Sequence, residues 1–207
     1  PPRSTLFPYT TLFRSLVGYP DNRGKGYAVR EGMRQSRGRI VAFMDADGST
    51  PVTELLRLAL PIQRNEADVV IGSRRVRGAR IEERQPLHRR LLGHAFSLCN
   101  RLILDIPFHD TQCGFKLFRG DCARELFRNV QCPGFGFDLE VLVAARKRGL
   151  RIAEIGVAWR DTPGSKVSPV ADGWRMLRTA WQLRDRATMP PPNPPAAVAK
   201  SEGTRHA

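Results

Sequence analysis

The run MDADGSTP, residues 44–51, carries two carboxylates, Asp45 and Asp47, at the end of a short apolar stretch, with Gly48 directly after them. In extended backbone alternate side chains point the same way, so such a pair leaves a strand on one side, and the glycine permits a sharp turn behind it. Parallel carboxylates repel. A divalent cation relieves that repulsion, and magnesium commonly takes one or two carboxylates while phosphate oxygens and water fill its other positions. The plainer alternative is that both acids cap the following helix. Further upstream, NRGKG (residues 22–26) offers bared backbone amides beside the ammonium of Lys25, without the full spacing of a Walker loop. In FDLE, Asp138 and Glu140 stand two apart, which sends them to different faces of a helix.

These residues need elements to hold them. RIVAFMD (39–45) and ADVVIGS (67–73) are continuous apolar runs that read as buried strands. Between them Leu55, Leu56, Leu58, Ala59 and Ile62 recur at helical spacing, with Thr50 as the expected cap and Pro51 in the first turn. Strand, helix, strand implies a right-handed crossover and a parallel pair. GYAVREGMRQSRG reads as a helix closed at Gly38, PLHRRLLGHAFSLCNRLIL as a long amphipathic helix and GFKLFR as a strand. DLEVLVAARKRG reads as a helix closed by Gly149, and RIAEIGVAW as one last strand. The expected class is α/β with a largely parallel sheet, which binds ligands beyond the carboxyl ends of its strands.

Composition sets the outer bounds. The 207 residues are 41% hydrophobic and 26% charged, enough for one globular core and not a disordered chain. A net charge of +14 implies polyanionic partners: nucleic acid, anionic headgroups or phosphorylated substrates. Cys99, Cys113, Cys122 and Cys132 form no CxxC pair, so free thiols in a reducing compartment are expected and a zinc site is not. The Pro-rich end, residues 188–207, is expected to be a loose tail, leaving a folded body over 16–187. The opening PPRSTLFPYTTLFRS, residues 1–15, has neither helical nor strand period and is no signal peptide or membrane span. It resembles the in-frame translation of a sequencing adapter, and is expected to stand where natural sequence is missing.

Six blocks occur in one order: NRGKGYAVREGM, FMDADGSTP, VVIGSR, DTQCGFKLF, GFGFDLEVL and WRDTPGSKV. Together they resemble family 2 inverting glycosyltransferases over nearly all of residues 20–170, most of all the dolichyl-phosphate β-glucosyltransferases, with the dolichyl-phosphate mannose synthases as close kin. The resemblance implies a GT-A fold, Rossmann-like and here truncated at its N-terminus. It implies a nucleotide-sugar donor, a polyprenyl phosphate acceptor, and Mg²⁺ or Mn²⁺ on Asp45 and Asp47. Asn22, Gly24, Lys25 and Gly26 are then expected near the donor nucleotide, and Asp110 and Gln112 on the acceptor side. Arg74, Arg89 or Arg90, and Lys166 are expected to hold phosphates, and Asp138 to be the site-facing acid, although an acid at a helix start is also favoured by the dipole alone. The relatives' first strands, with a PAYNE-like stretch and DDGS-like acids, have no counterpart here. The chain as written is therefore expected to bind donor poorly and to be inactive.

Two blocks, DADGSTP and TQCGFKLF, tilt the donor towards UDP-glucose over GDP-mannose. In GWRMLRTAWQLRDRA (173–187), Trp174, Leu177, Trp181 and Leu183 with arginines around them read either as an interfacial helix or as a helix packed on its own domain. Peripheral membrane contact, at the cytoplasmic inner face, is the matching expectation. A nucleic-acid-binding module would also suit the charge, but the sequence has no zinc-finger spacing, no RNP-like block and only 8% aromatics, so no nucleic acid is expected. A non-catalytic relative is the remaining alternative, to be decided by whether the acidic pair binds metal.

Overall fold

Six helices and six strands occupy the residues described by the structure, a computed structural model covering 16–83, 87–161 and 169–187. The adapter-like opening, the expected tail and Lys166 lie outside them. In chain order the elements are α1 (Lys25–Gln35), β1 (Ile40–Met44), α2 (Glu54–Gln63), β2 (Val69–Ser73), β3 (Arg80–Glu83) and α3 (Leu87–Leu104). There follow β4 (Phe115–Arg119), α4 (Gly120–Arg128), α5 (Phe137–Lys147), β5 (Ile152–Gly156), β6 (Ala158–Arg160) and α6 (Pro169–Ala187).

The main sheet has the order β1-β4-β2-β5. The α/β class holds, with one correction to its sheet: β1 and β2 do not pair. Instead β4 lies between them, antiparallel to both, and within this sheet only β2 and β5 pair in parallel. Because β1, β2 and β5 still share a direction, their carboxyl ends and the amino end of β4 meet at one edge. Met44 faces Phe115 there, and Ser73 faces Gly156.

Strand alternation divides the core into two layers. On one side Val69, Ile71 and Phe118 meet apolar residues of α1, α3, α4, α5 and α6; on the other Val70, Phe115 and Leu117 meet Leu58, Ala59 and Ile62 of α2. Phe43 of β1 packs 5.6 Å from Phe137 and 6.2 Å from Phe118, ring centre to ring centre. Such aromatic pairs add about 0.5–1.5 kcal/mol beyond area burial. Here they pin the start of α5 to β1, and with it Asp138.

Three boundaries differ from the sequence reading. The cap of α2 is Thr53 instead of Thr50, because Glu54 and Leu55 first donate to the carbonyls of Pro51 and Val52 in a tight turn. The end of α1 comes at Gln35, with Ser36 donating from both its backbone N–H and its hydroxyl to the Met33 carbonyl. The expected last strand divides in two: β5 stays in the main sheet while β6 pairs with β3 in a separate parallel ribbon. Gly156 marks that division, since a Cβ there would lie 2.3 Å from the Ala79 nitrogen. At the edge of the sheet away from the strand carboxyl ends, Asp68 binds both Arg119 and Arg151, clasping β2, β4 and β5.

Candidate active site

The carboxylates of the acidic pair sit at the shared strand edge, and the structure shows how each is held. Strand β1 ends at Met44, so the Asp45–Asp47 segment turns at once and strand pleating does not orient the pair. The backbone N–H of Asp45 donates to the Gly114 carbonyl at 2.9 Å, prolonging the contact between β1 and β4 by one residue. The Asp45 carboxylate lies directly over Gly114: a Cβ there would fall 1.9 Å from Oδ2 and 2.1 Å from Cγ. Only glycine leaves that space. Asp47 Oδ1 accepts the Ser49 N–H at 2.9 Å, and Gly48, with φ of +69°, makes the turn.

Lys25, the first residue of α1, places its ammonium 2.5 Å from Asp45 Oδ1. Its neighbours in NRGKG serve that placement. A Cβ on Gly24 would lie 2.4 Å from the Pro133 oxygen, and one on Gly26 2.4 Å from the Cys132 oxygen. Gly24 also has φ of +89° and donates its N–H to Asn22 Oδ1 at 2.9 Å. The glycines therefore seat α1 against the turn before α5, and Lys25 is the member of the block aimed at the acidic pair.

Arg74 follows β2 and meets Asp110 in a two-pronged ion pair, Nε to Oδ2 at 2.7 Å and Nη2 to Oδ1 at 2.8 Å, while its backbone N–H donates to Oδ2 at 3.0 Å. Its guanidinium also stands 5.4 Å from the centre of the Trp159 ring. The phosphate-holding arginine and the acceptor-side acid expected separately from the sequence are thus each other's partners. Burial pushes the Asp110 carboxyl up, but the charge and hydrogen bonds of Arg74, with Arg75 nearby, outweigh it and hold the group well below the usual carboxylate range. Glu154 of β5 accepts the backbone N–H groups of His109 and Asp110, at 2.9 and 2.8 Å, and fixes this loop from below.

Beneath Asp45 lies a second ion pair. Lys116 of β4 is 0% exposed and Asp138 of α5 1% exposed, with Nζ 2.5 Å from Oδ1; the same ammonium donates to the Cys113 carbonyl at 2.7 Å. Burial raises the Asp138 carboxyl above its ordinary value, opposed by Lys116 and Lys25, and Asp45 adds to the rise. Asp138 is thus buried against a lysine near Asp45, and does not face the site openly as the sequence led one to expect. Glu140 points elsewhere, accepting the N–H groups of Gln131 and Cys132. Sequence reasoning missed Lys116, Gly114 and Glu154. The signal for Lys116 was a lone charge inside the apolar strand FKLF.

Gln112 keeps its Nε2 buried without an acceptor among the described residues. Burial pushes the Cys113 thiol up to about 11, which leaves it neutral and a packed side chain. Arg89 lies in α3, and its side chain is outside those described. Among the described residues no three His, Cys, Asp or Glu side chains cluster as a metal cage. The donor set that does exist fits a hard divalent ion held partly by substrate: Asp45 and Asp47 supply carboxylate oxygens, and the space over Gly114 keeps the Asp45 carboxylate in place.

A mixed α/β sheet with two acids at the strand carboxyl edge and cations around them is a GT-A-type arrangement, and solved structures bear out the fold. Glucosyl-3-phosphoglycerate synthase from Mycobacterium tuberculosis, crystallised with phosphoglyceric acid, superposes with a TM-score of 0.57 at 22% identity, covering 83% of this chain and 58% of that one. The same enzyme with Mn²⁺, UDP-glucose and phosphoglyceric acid gives a TM-score of 0.56 at 21% identity, covering 83% and 57%. Glycosyl transferase family 2 matches residues 17–127, and this chain belongs to that family. A dolichyl-phosphate beta-glucosyltransferase of Trichomonas vaginalis is 33% identical over 196 residues, covering 86% of this chain and 58% of the relative. Those of Dictyostelium discoideum and Homo sapiens are each 33% identical, covering 83% and 78% of this chain and 54% and 51% of the relatives. The chain spans about half the length of the curated relatives it matches.

Proposed function

We propose that the chain is the catalytic portion of an inverting hexosyltransferase that moves glucose from UDP-glucose onto a polyprenyl or dolichyl phosphate. The observation that carries this reading is the Asp45 carboxylate, fixed over Gly114 at the strand edge with Lys25 beside it, in a chain whose relatives at 33% identity are dolichyl-phosphate beta-glucosyltransferases. A glycosyl donor of this kind leaves as a nucleoside diphosphate, and negative charge grows on it as the bond breaks. Cations preorganised at that point lower the barrier. Asp45 and Asp47 would hold Mg²⁺ or Mn²⁺, which supplies Lewis-acid stabilisation of the departing diphosphate. Lys25 lies where it can add its own charge to the same oxygens.

The acceptor phosphate, with a second pKa near 6, is mostly dianionic at neutral pH and attacks without losing a proton first. A strong general base is then unnecessary, which suits a site where Asp138 is sealed beneath the surface. Asp138 instead contributes negative charge behind Lys25 and Asp45. The acceptor enters beside Arg74, whose guanidinium is oriented by Asp110 and Trp159.

A lipid acceptor calls for contact with a membrane surface, on this reading at its cytoplasmic face. No described helix is long and apolar enough to cross a membrane. Helix α6 buries Ala180 and Leu183 against the domain yet leaves Trp174 72% and Trp181 59% exposed, and neighbouring α3 exposes Leu87, Leu91, Leu98 and Leu102. Exposed tryptophans and leucines on basic helices suit insertion among headgroups. Flotation with anionic liposomes tests this, and failure to float rejects it.

The central experiment is a transfer assay on a version with natural sequence upstream of Leu16, offering UDP-glucose or GDP-mannose with a polyprenyl phosphate, with and without Mg²⁺ or Mn²⁺. Glucosyl lipid should form only with UDP-glucose and metal, and Asp45→Asn should lower the rate at least 100-fold, the scale of a lost transition-state electrostatic contact. Unchanged turnover in Asp45→Asn rejects the proposal.

A further inference from the structure

We infer that Lys25 is a resident counter-ion for Asp45, which must leave that carboxylate before a divalent cation can bind and which then moves onto the diphosphate. This rests on the metal reading above and adds a coupling between metal and donor. Asp45 has the shorter reach: its backbone is bonded to the Gly114 carbonyl and its carboxylate lies in the space over that glycine. Lys25 has the opposite character. Its backbone is seated by the close packing of Gly24 and Gly26 on Pro133 and Cys132, while its side chain remains 27% exposed beside an Asp45 that is 33% exposed. Only the flexible four-carbon stem can move.

With the ammonium 2.5 Å from Oδ1, the carboxylate that would receive a metal ion already holds a positive charge. Two cations cannot share that position, so metal binding displaces the lysine. Inward there is no place for it: Asp138 lies close enough to feel Lys25, but Lys116 already occupies that carboxylate at 2.5 Å. Outward lies the donor diphosphate, a polyanion that accepts a lysine as a point charge. Metal alone therefore binds against the lysine, whereas metal with nucleotide gives the lysine a new partner. That is positive coupling between two ligands through one side chain, and it is reciprocal.

The test measures Mn²⁺ binding by electron paramagnetic resonance on the same version that carries natural sequence upstream of Leu16, with Mn²⁺ alone and with Mn²⁺ plus UDP. Lys25→Met should bind Mn²⁺ alone about fivefold more tightly than wild type, the upper worth of a half-exposed ion pair. Addition of UDP should erase or reverse that advantage. Arg23→Met, two residues away and stacked on Tyr27 at 4.0 Å, removes the same charge without touching Asp45 and should change little. Equal Mn²⁺ affinity in wild type and Lys25→Met overturns the inference, as does an equal gain in Arg23→Met. Loss of binding in Asp45→Asn with no effect of Lys25→Met overturns the counter-ion role while leaving the metal reading intact. No Mn²⁺ bound by wild type overturns both. Circular dichroism checks folding, with Lys25→Gln as the second variant should Lys25→Met misfold.

Discussion

Replacing Lys116 by methionine isolates the energetics of the buried pair under the site. The ammonium lies 2.5 Å from Asp138 Oδ1 with both side chains sealed from solvent, and it also serves the Cys113 carbonyl. Removing one member of such a pair costs about 3–5 kcal/mol, because a charge is left buried and unpaired. The carboxylate has one escape, which is to take up a proton. For an acid whose unfolded pKa is about 4, holding a proton at pH 7 costs about 1.4 kcal/mol per unit, or about 4 kcal/mol, and this sets the ceiling. At roughly 2–4 °C per kcal/mol for a chain of this size, Lys116→Met should melt about 8–16 °C below wild type at pH 7. The pH dependence has a definite sign. Burial already raises Asp138 in the fold, and loss of Lys116 raises it further, so the folded variant binds more protons than the unfolded one. Its stability deficit should shrink as pH falls from 7 towards 5, by up to about 1.4 kcal/mol per unit. Thermal unfolding followed by circular dichroism at both pH values measures this, and Lys116→Met/Asp138→Leu should recover most of the loss. A melting point within 2 °C of wild type, or a deficit independent of pH, would refute the reasoning, with the 2 °C margin equal to about 1 kcal/mol.

Two further outcomes follow from the site. Gly114→Ala puts a Cβ 1.9 Å from Asp45 Oδ2, so Asp45 must move; overpacking of this kind costs about 1–3 kcal/mol, and calorimetry should find Mn²⁺ binding weakened at least tenfold. Asp110 is held well below the usual range despite its burial, so its contribution is present above the unfolded pKa near 4 and is lost as pH falls through the lower folded value. Asp110→Asn should therefore cost about 3–5 kcal/mol at pH 7, and the gap to wild type should close only in strong acid. A gap that stays constant from pH 7 to 2.5 in acid-unfolding curves would contradict that assignment.

The parts of this molecule that repeat with a local period were readable in advance, and those fixed by distant contacts were not. The apolar runs gave β1, β2 and β4, and helical spacing gave α1, α2, α3, α5 and α6. Strand pattern carries no direction, so nothing in GFKLFR told that β4 runs between β1 and β2 against both of them. Apart from Glu154, RIAEIGVAW stays apolar from Ile152 through Val157; its division coincides with the backbone of Gly78 and Ala79 pressing on Gly156, a contact invisible to a local window. Strand β3 is short and exposed throughout and carries no apolar period, whereas α4 buries Cys122, Ala123, Leu126 and Phe127 at helical spacing and was simply not read from it. The positions of Asp45 past β1 and of Arg74 past β2 were legible from the apolar runs that end there, while Lys25 was placed in the site only through the family resemblance. The pairing of Arg74 with Asp110 and of Lys116 with Asp138 was not, since each joins residues from separate elements.

The insertion of β4 between β1 and β2 bears on how the molecule is made. During synthesis the strands carrying Asp45 and Arg74 leave the ribosome well before Phe115, and until β4 arrives neither has its neighbour in the final sheet. Pairings so far apart in sequence form slowly, and open strand edges attract other chains in the interval. Synthesis stopped short of Arg119 would yield two orphaned strands with no sheet to join, a nascent product for chaperones to shelter and proteases to clear.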